Sequence, residues 1–170
     1  MDIVKTATTW GKDEVFSSQF FILFALIFIV ASIGFWQLGK TEVAKAFIYP
    51  SLVAGILLLA VGVGLFFTNK SRMNNFPTAY ESDASAFVKS EISRAEKTVA
   101  EFKTVVFKAI PIIIIVAALL IIFVDKPIWR AISITTIAMM SVILLVDSNS
   151  SKRMEDYQEQ LELLEKQGGN

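Results

Sequence analysis

The side chains best placed to do acid–base or ion-handling chemistry are Lys108, Asp125, Arg130 and Asp147, each at the edge of a long apolar run. Carboxylates and cations brought together inside a membrane are the parts of a proton relay or an ion path, but here none lies deep within a run. Asp147 is expected level with the turn at 105–108, in an ion pair with Lys108 or Lys103. The chain has no cysteine and no histidine. That removes thiolate nucleophiles, Ser–His and Cys–His pairs, disulfides, c-type haem attachment and the commonest zinc and haem ligands. No phosphate-cradling glycine loop or HExxH stretch occurs. No catalytic, cofactor-binding or metal-ligating residue is assigned, and no cofactor is expected. An enzyme acting on lipid would have to draw its polar groups from Asp125, Asp147 and loop residues.

The elements that would position these residues are four apolar segments in a chain of 170 residues that is 54% hydrophobic. Residues 15–39 and 46–69 contain no Asp, Glu, Lys or Arg, and each covers a hydrocarbon core of ~30 Å, which takes roughly 20 helical residues. The charge-free cores of the other two, 109–124 and 131–146, reach only ~24 Å at 1.5 Å per residue. Admitting Lys108 and Arg130 extends them to 105–124 and 127–146, because a long stem carries its charge to the headgroups. The first run is longer than a signal-peptide h-region of roughly 7–15 residues and reads as an uncleaved signal-anchor. The fold class is thus an all-α integral membrane protein with four transmembrane helices in two hairpins. The expected division is an amino-terminal segment 1–14, a first hairpin 15–76, an amphipathic helix 77–104, a second hairpin 105–147, and a terminal helix and tail 148–170.

Orientation follows from the cations. The two short loops hold Lys40, Lys45, Lys126 and Arg130, and the other twelve of the sixteen lie in the amino-terminal segment, the central segment and the tail. The positive-inside rule puts both termini and the central segment in the cytoplasm. Trp36, Trp129 and Tyr49 fall near the outer ends as an aromatic belt, and Trp10 is expected at the inner interface. Zero net charge gives no bulk attraction to nucleic acid, which is not expected as a partner.

The central segment reads as a turn at Asn74-Asn75-Phe76-Pro77 that stops span two, followed by a capping box at Thr78 and Glu81. Val88, Ile92, Ala95, Val99, Phe102 and Val106 then recur as a heptad seam, with Lys89, Glu91, Arg94, Glu96, Lys97 and Glu101 on solvated flanks. The tail repeats the rhythm in Met154, Tyr157, Leu161 and Leu164. Folding the second hairpin about Lys126-Pro127 brings Val88 level with Leu164, Ile92 with Leu161, Ala95 with Tyr157, and Val99 with Met154. Spans three and four therefore extend into the cytoplasm as amphipathic, coiled-coil-like helices. A helix over 79–104 would run ~39 Å from the membrane, so it is expected to tilt, break near Ser90–Ser93, or lie along the headgroups. Pro111 cannot donate to the carbonyl of Phe107 and predicts a kink or restart. Glu155, Asp156, Glu159, Glu162 and Glu165 form the tail's solvated face.

Within the spans, Ser51, Gly55, Ala60, Gly62 and Gly64 let helices approach closely, either internally or in a dimer. Ser133, Thr135, Thr136 and Ser141 read as packing groups, and Phe20, Phe24 and Phe28 form an i, i+4 stripe toward lipid or a neighbouring helix. Arg72-Met73 with Phe76 echoes Arg153-Met154 with Tyr157. The functional expectation is a non-catalytic four-span interaction protein, partnered by the bilayer and by another protein or a second copy. It would be a scaffold, an accessory subunit of a membrane complex, or an antagonist of a membrane-acting protein. The alternative is an oligomeric channel or transporter subunit, which the lack of intramembrane charge disfavours although a hydroxyl-lined or dewetted pore needs none.

Overall fold

The computed structural model describes residues 3–168, so residues 1, 2, 169 and 170 of the expected terminal segments lie outside the described residues. Among the described residues the chain is helical throughout: α1 (Ile3–Leu38), α2 (Glu42–Ala46), α3 (Ile48–Ser82), α4 (Ala84–Thr104), a π-helical turn (Val105–Ala109), α5 (Ile110–Phe123) and α6 (Pro127–Gly168). Four stretches are long and apolar enough to cross a membrane: Ile3–Leu38, Glu42–Ser82, Ala84–Phe123 and Pro127–Lys166.

The longest antiparallel contact joins α1 to α3, and two glycines account for its closeness. A Cβ on Gly55 would lie 2.7 Å from Ile29 Cγ1 and 3.0 Å from the Ala25 carbonyl oxygen. One on Gly62 would lie 2.9 Å from Ile22 Cγ1 and 3.0 Å from the Ile22 nitrogen. Gly64 meets nothing within 4 Å, so the small-residue face expected on span two is split: part of it seats α1, and Gly64 is open. Ser32 fastens the far end of this pair by donating to the Ile48 carbonyl at 2.7 Å. Phe21, Ala25 and Leu58 then form an apolar cluster with Val142 and Val146 of α6, with Phe24 and Phe28 packed against it and Phe20 left exposed. α6 is thus the element that both α1 and α5 pack on.

At the end where α1 begins and α6 finishes, all the long helices run past their apolar stretches. The turn expected at Asn74-Asn75-Phe76-Pro77 does not form, and α3 continues through Pro77 to Ser82. Proline there removes a bond to the Met73 carbonyl, but Pro77 is exposed, so water can serve that carbonyl, while Phe76 and partly buried Tyr80 draw the helix onto the cluster below. The helix start lies beyond the expected capping box. Asp83 is the N-cap of α4, its side chain accepting from Ala86 N at 2.8 Å. The climb away from the apolar region is therefore helical, residues 70–82 rising ~20 Å, and α4 returns without the break expected near Ser90–Ser93.

The interruption at Pro111 takes a specific form. The Ile110 N–H bonds to the Val105 carbonyl, five residues back, so one residue is accommodated as a π-turn and Pro111 falls in the first turn of α5, where its missing donor is harmless. At the opposite end Thr41 caps α2 through a 3.1 Å bond from Ala44 N, and Arg130 pairs with Asp125 at 3.0 Å on the surface. Trp36, Tyr49 and Trp129 are exposed at that same end.

Gly55→Ala and Gly62→Ala are each expected to destabilise the protein by about 1–3 kcal/mol, because backbone must move to admit the methyl group. Gly64→Ala should be neutral or stabilise by roughly 0.5–1 kcal/mol. Thermal unfolding of the three variants in one detergent checks the contrast.

Candidate functional site

Two ionic clusters sit inside the helix bundle, one above the other along α6. The upper one begins with α4. Val88, Ala95 and Val99 are buried as the heptad pattern requires, and they meet Met154, Tyr157 and Leu161 of α6. The cluster is wider than a two-helix seam, since Ala7 and Trp10 of α1, Phe76 of α3 and Phe87 of α4 belong to it as well. This third and fourth helix overturn the expected exposure of Glu91 and Arg94. Glu91 is only 7% exposed, and Trp10 lies inside the bundle instead of marking an interface.

A buried carboxylate must be compensated, and Glu91 is. Arg94, one turn on, donates from both Nε and Nη2, the Nε bond to Oε1 being 3.0 Å. Tyr157 donates its phenolic proton across from α6 to Oε2 at 2.8 Å. Burial, with the Glu91 charge next in importance, pushes the Tyr157 phenol above its ordinary range, so it remains a donor. The Arg94 guanidinium then lies over the Trp10 indole, 4.3 Å from the ring centroid, and Trp10 stacks on Tyr157 with centroids 5.1 Å apart and planes 16° from parallel. Trp10, Arg94, Glu91 and Tyr157 close a loop of contacts that ties α1, α4 and α6 together.

The lower cluster sits where the polar end meets the apolar region. Arg153 of α6 donates to Glu14 Oε1 of α1 from Nη2 at 2.9 Å and from Nε at 3.1 Å, and its Nη2 also reaches Ser17 Oγ at 2.7 Å and Ser150 Oγ at 2.9 Å. Ser18 and Ser151, next to Ser17 and Ser150 in sequence, are buried as well. Asp147 does not pair with Lys108 or Lys103 among the described residues, and both lysines are exposed. The cross-helix pair at this level is Glu14–Arg153 instead. In the apolar half Ser133 and Thr135 are buried against neighbouring helices while Ser141 is exposed. The tail's Glu155, Asp156, Glu159 and Glu165 are exposed and Glu162 is partly so.

Sequence reasoning missed Glu14 and Glu91, yet a signal was present. Trp10, Lys12, Glu14 and Val15 match Phe87, Lys89, Glu91 and Ile92 at identical spacing. Their counterparts on the returning helices are the echoed triplets, and Met73, Phe76, Met154 and Tyr157 all pack in or against the same cluster. Phe76 meets Phe87 edge-on at 5.7 Å, and Tyr157 stacks on Trp10 at 5.1 Å. Both repeats thus supply an aromatic and a glutamate to the interior.

Glu91→Ala is expected to cost about 3 kcal/mol, since it leaves Arg94 and Tyr157 without an acceptor inside the bundle. Tyr157→Phe removes one charge-assisted bond and should cost about 1.5 kcal/mol. Replacing the whole set, Glu91→Leu with Arg94→Met and Tyr157→Phe, should recover most of the loss, measured as thermal midpoints in a common detergent. Comparison with protein-family models, with curated proteins and with solved structures finds no match to the chain.

Proposed function

We propose that the protein is a non-catalytic, four-span interaction protein of a cell membrane, with both termini and the α3–α4 corner in the cytoplasm. On this reading α1 and α3 form one hairpin, and α4–α5 and α6 form a second whose cytoplasmic extension is a paired, coiled-coil-like stem. It serves as a scaffold, an accessory subunit of a membrane complex, or an antagonist of a membrane-acting protein.

The observation that carries the proposal is the free face of α5. This helix packs chiefly on α6, where buried Ala117 and buried Ser133 line the same crevice. On its exposed side Ile112, Ile115, Leu119 and Ile122 recur at spacings of 3, 4 and 3, the pattern by which a helix seats the side chains of a partner helix. The buried ionic groups support the non-catalytic reading from the other direction. Glu91, Arg94 and Tyr157 are committed to one another, and the Glu14 carboxylate is bound by Arg153, so both buried acids are engaged in holding helices.

The test is affinity capture of the full chain from membranes in a gentle detergent, comparing wild type with a variant carrying Ile112→Ala, Ile115→Ala, Leu119→Ala and Ile122→Ala. The expected result is a membrane protein recovered in stoichiometric amount with wild type and lost with the variant. Recovery of a homo-oligomer alone, conducting ions when reconstituted in liposomes, would contradict the proposal in favour of a channel.

A further inference from the structure

Between α1 and α6 runs a groove in two parts that share Arg153 as a wall. The part at the polar end is a cavity of about 600 Å³ whose lining includes Lys5, Thr6, Thr9, Asp13, Arg153 and Asp156. The other part, about 350 Å³, is lined mainly by Phe16, Phe20, Phe24, Leu145 and Val146, with Arg153 at its end. Both volumes lie within the ~300–1,000 Å³ typical of small-molecule sites. An apolar slot joined end to end with a hydrogen-bonding chamber, the junction falling where the apolar stretches of α1 and α6 give way to charge, has the form of a phospholipid.

The polar groups narrow the class of lipid. Arg153 uses Nε and Nη2 on Glu14, Ser17 and Ser150, and its Nη1 has no acceptor among the described residues. Its side chain is 28% exposed. Two N–H donors are therefore available at the junction, the level of a lipid phosphate. Trp10, another groove residue, is 6% exposed and its Nε1 donor also lacks an acceptor. The charges around the chamber decide against a purely anionic headgroup. Lys5 and Arg153 are set against Asp13, Asp156 and the Glu14 carboxylate bound to Arg153, so the site is not net positive. A phosphate at Arg153 needs a cation on the same ligand to meet Asp13 and Asp156. An ammonium that donates hydrogen bonds to these carboxylates fits better than a quaternary one, which has no donor.

We infer that the α1–α6 groove is a binding site for one phosphatidylethanolamine molecule, one of its two acyl chains in the Phe16–Phe20–Phe24 slot and the other toward lipid, its phosphate on Arg153 and its ammonium at Asp13 and Asp156. The inference rests on the four-span reading of the chain and is independent of any protein partner.

The experiment is native mass spectrometry of the full chain, delipidated in detergent and titrated in turn with palmitoyl-oleoyl phosphatidylethanolamine, phosphatidylglycerol and phosphatidylcholine. A single phosphatidylethanolamine adduct should saturate at least about tenfold more tightly than either other lipid, the worth of one charge-assisted hydrogen bond. Thr9→Trp, which fills the chamber without touching the Glu14–Arg153 pair, should abolish that adduct. Asp13→Asn combined with Asp156→Asn, both at exposed positions, should leave folding intact and remove the preference over phosphatidylglycerol. Phosphatidylglycerol binding as tightly to wild type, multiple non-saturating adducts, or retention unchanged by Thr9→Trp would each overturn the inference. Circular dichroism and a monodisperse elution profile establish that each variant is folded.

Discussion

A carboxylate in the middle of a helix seam is the constraint on which the polar end of this protein depends. Glu91 stands between Val88 and Ala95, where an apolar residue would ordinarily pack. Its charge is tolerable only because Arg94 meets it in a forked pair and Tyr157 completes it from the opposite helix. Each partner is fixed in turn by Trp10, which lies under the guanidinium and against the phenol ring. Satisfying one buried acid thus requires residues from α1, α4 and α6 in a single register. An alternative pairing of α4 shifted by a turn would keep apolar contacts but strand this acid, and that cost makes the arrangement specific.

The Glu14–Arg153 pair applies the same logic nearer the apolar region, where loss of water makes an unpaired charge still more expensive. Between these two levels α6 is held to α1 and α4, and below them contact passes to apolar packing. Glycines 55 and 62 bring α3 against α1, while α5 touches little besides α6. The π-turn at Val105–Ala109 makes the transition, since it absorbs one residue between a helix whose seam must face inward and a helix that exposes most of its surface. A tightly specified polar end and a loosely held α5 follow from the same chain.

Much of this was legible in the residues. The four apolar stretches, the buried positions Val88, Ala95, Val99, Met154, Tyr157 and Leu161, and the exposed acidic face of the tail follow from hydrophobic periodicity, which reports directly on which side chains seek burial. Glu91 and Arg94 were not legible in this way. A two-helix seam assigns flanking charges to solvent, and nothing local to α4 announces that α1 will lay Trp10 over them. Pro77 misled for a related reason, because helix-breaking is a local cost of about 3 kcal/mol that burial of Phe76 and Tyr80 can offset only through tertiary contact. The internal match of Trp10-Gly-Lys-Asp-Glu with Phe87-Val-Lys-Ser-Glu is the one sequence signal that pointed to both glutamates. It is visible only when the two halves are compared with each other.

Glu91 and Tyr157 set the register in which α4 is locked against α6. The most direct measurement is disulfide crosslinking in this cysteine-free chain, using Val88→Cys with Leu164→Cys in native membranes. These two residues line one cavity at the far end of the bundle. Rapid, near-complete intramolecular crosslinking of that pair is expected, reduced when Glu91→Ala is added. Efficient pairing of Val88→Cys instead with a position one or more turns away, such as Tyr157→Cys, would contradict it.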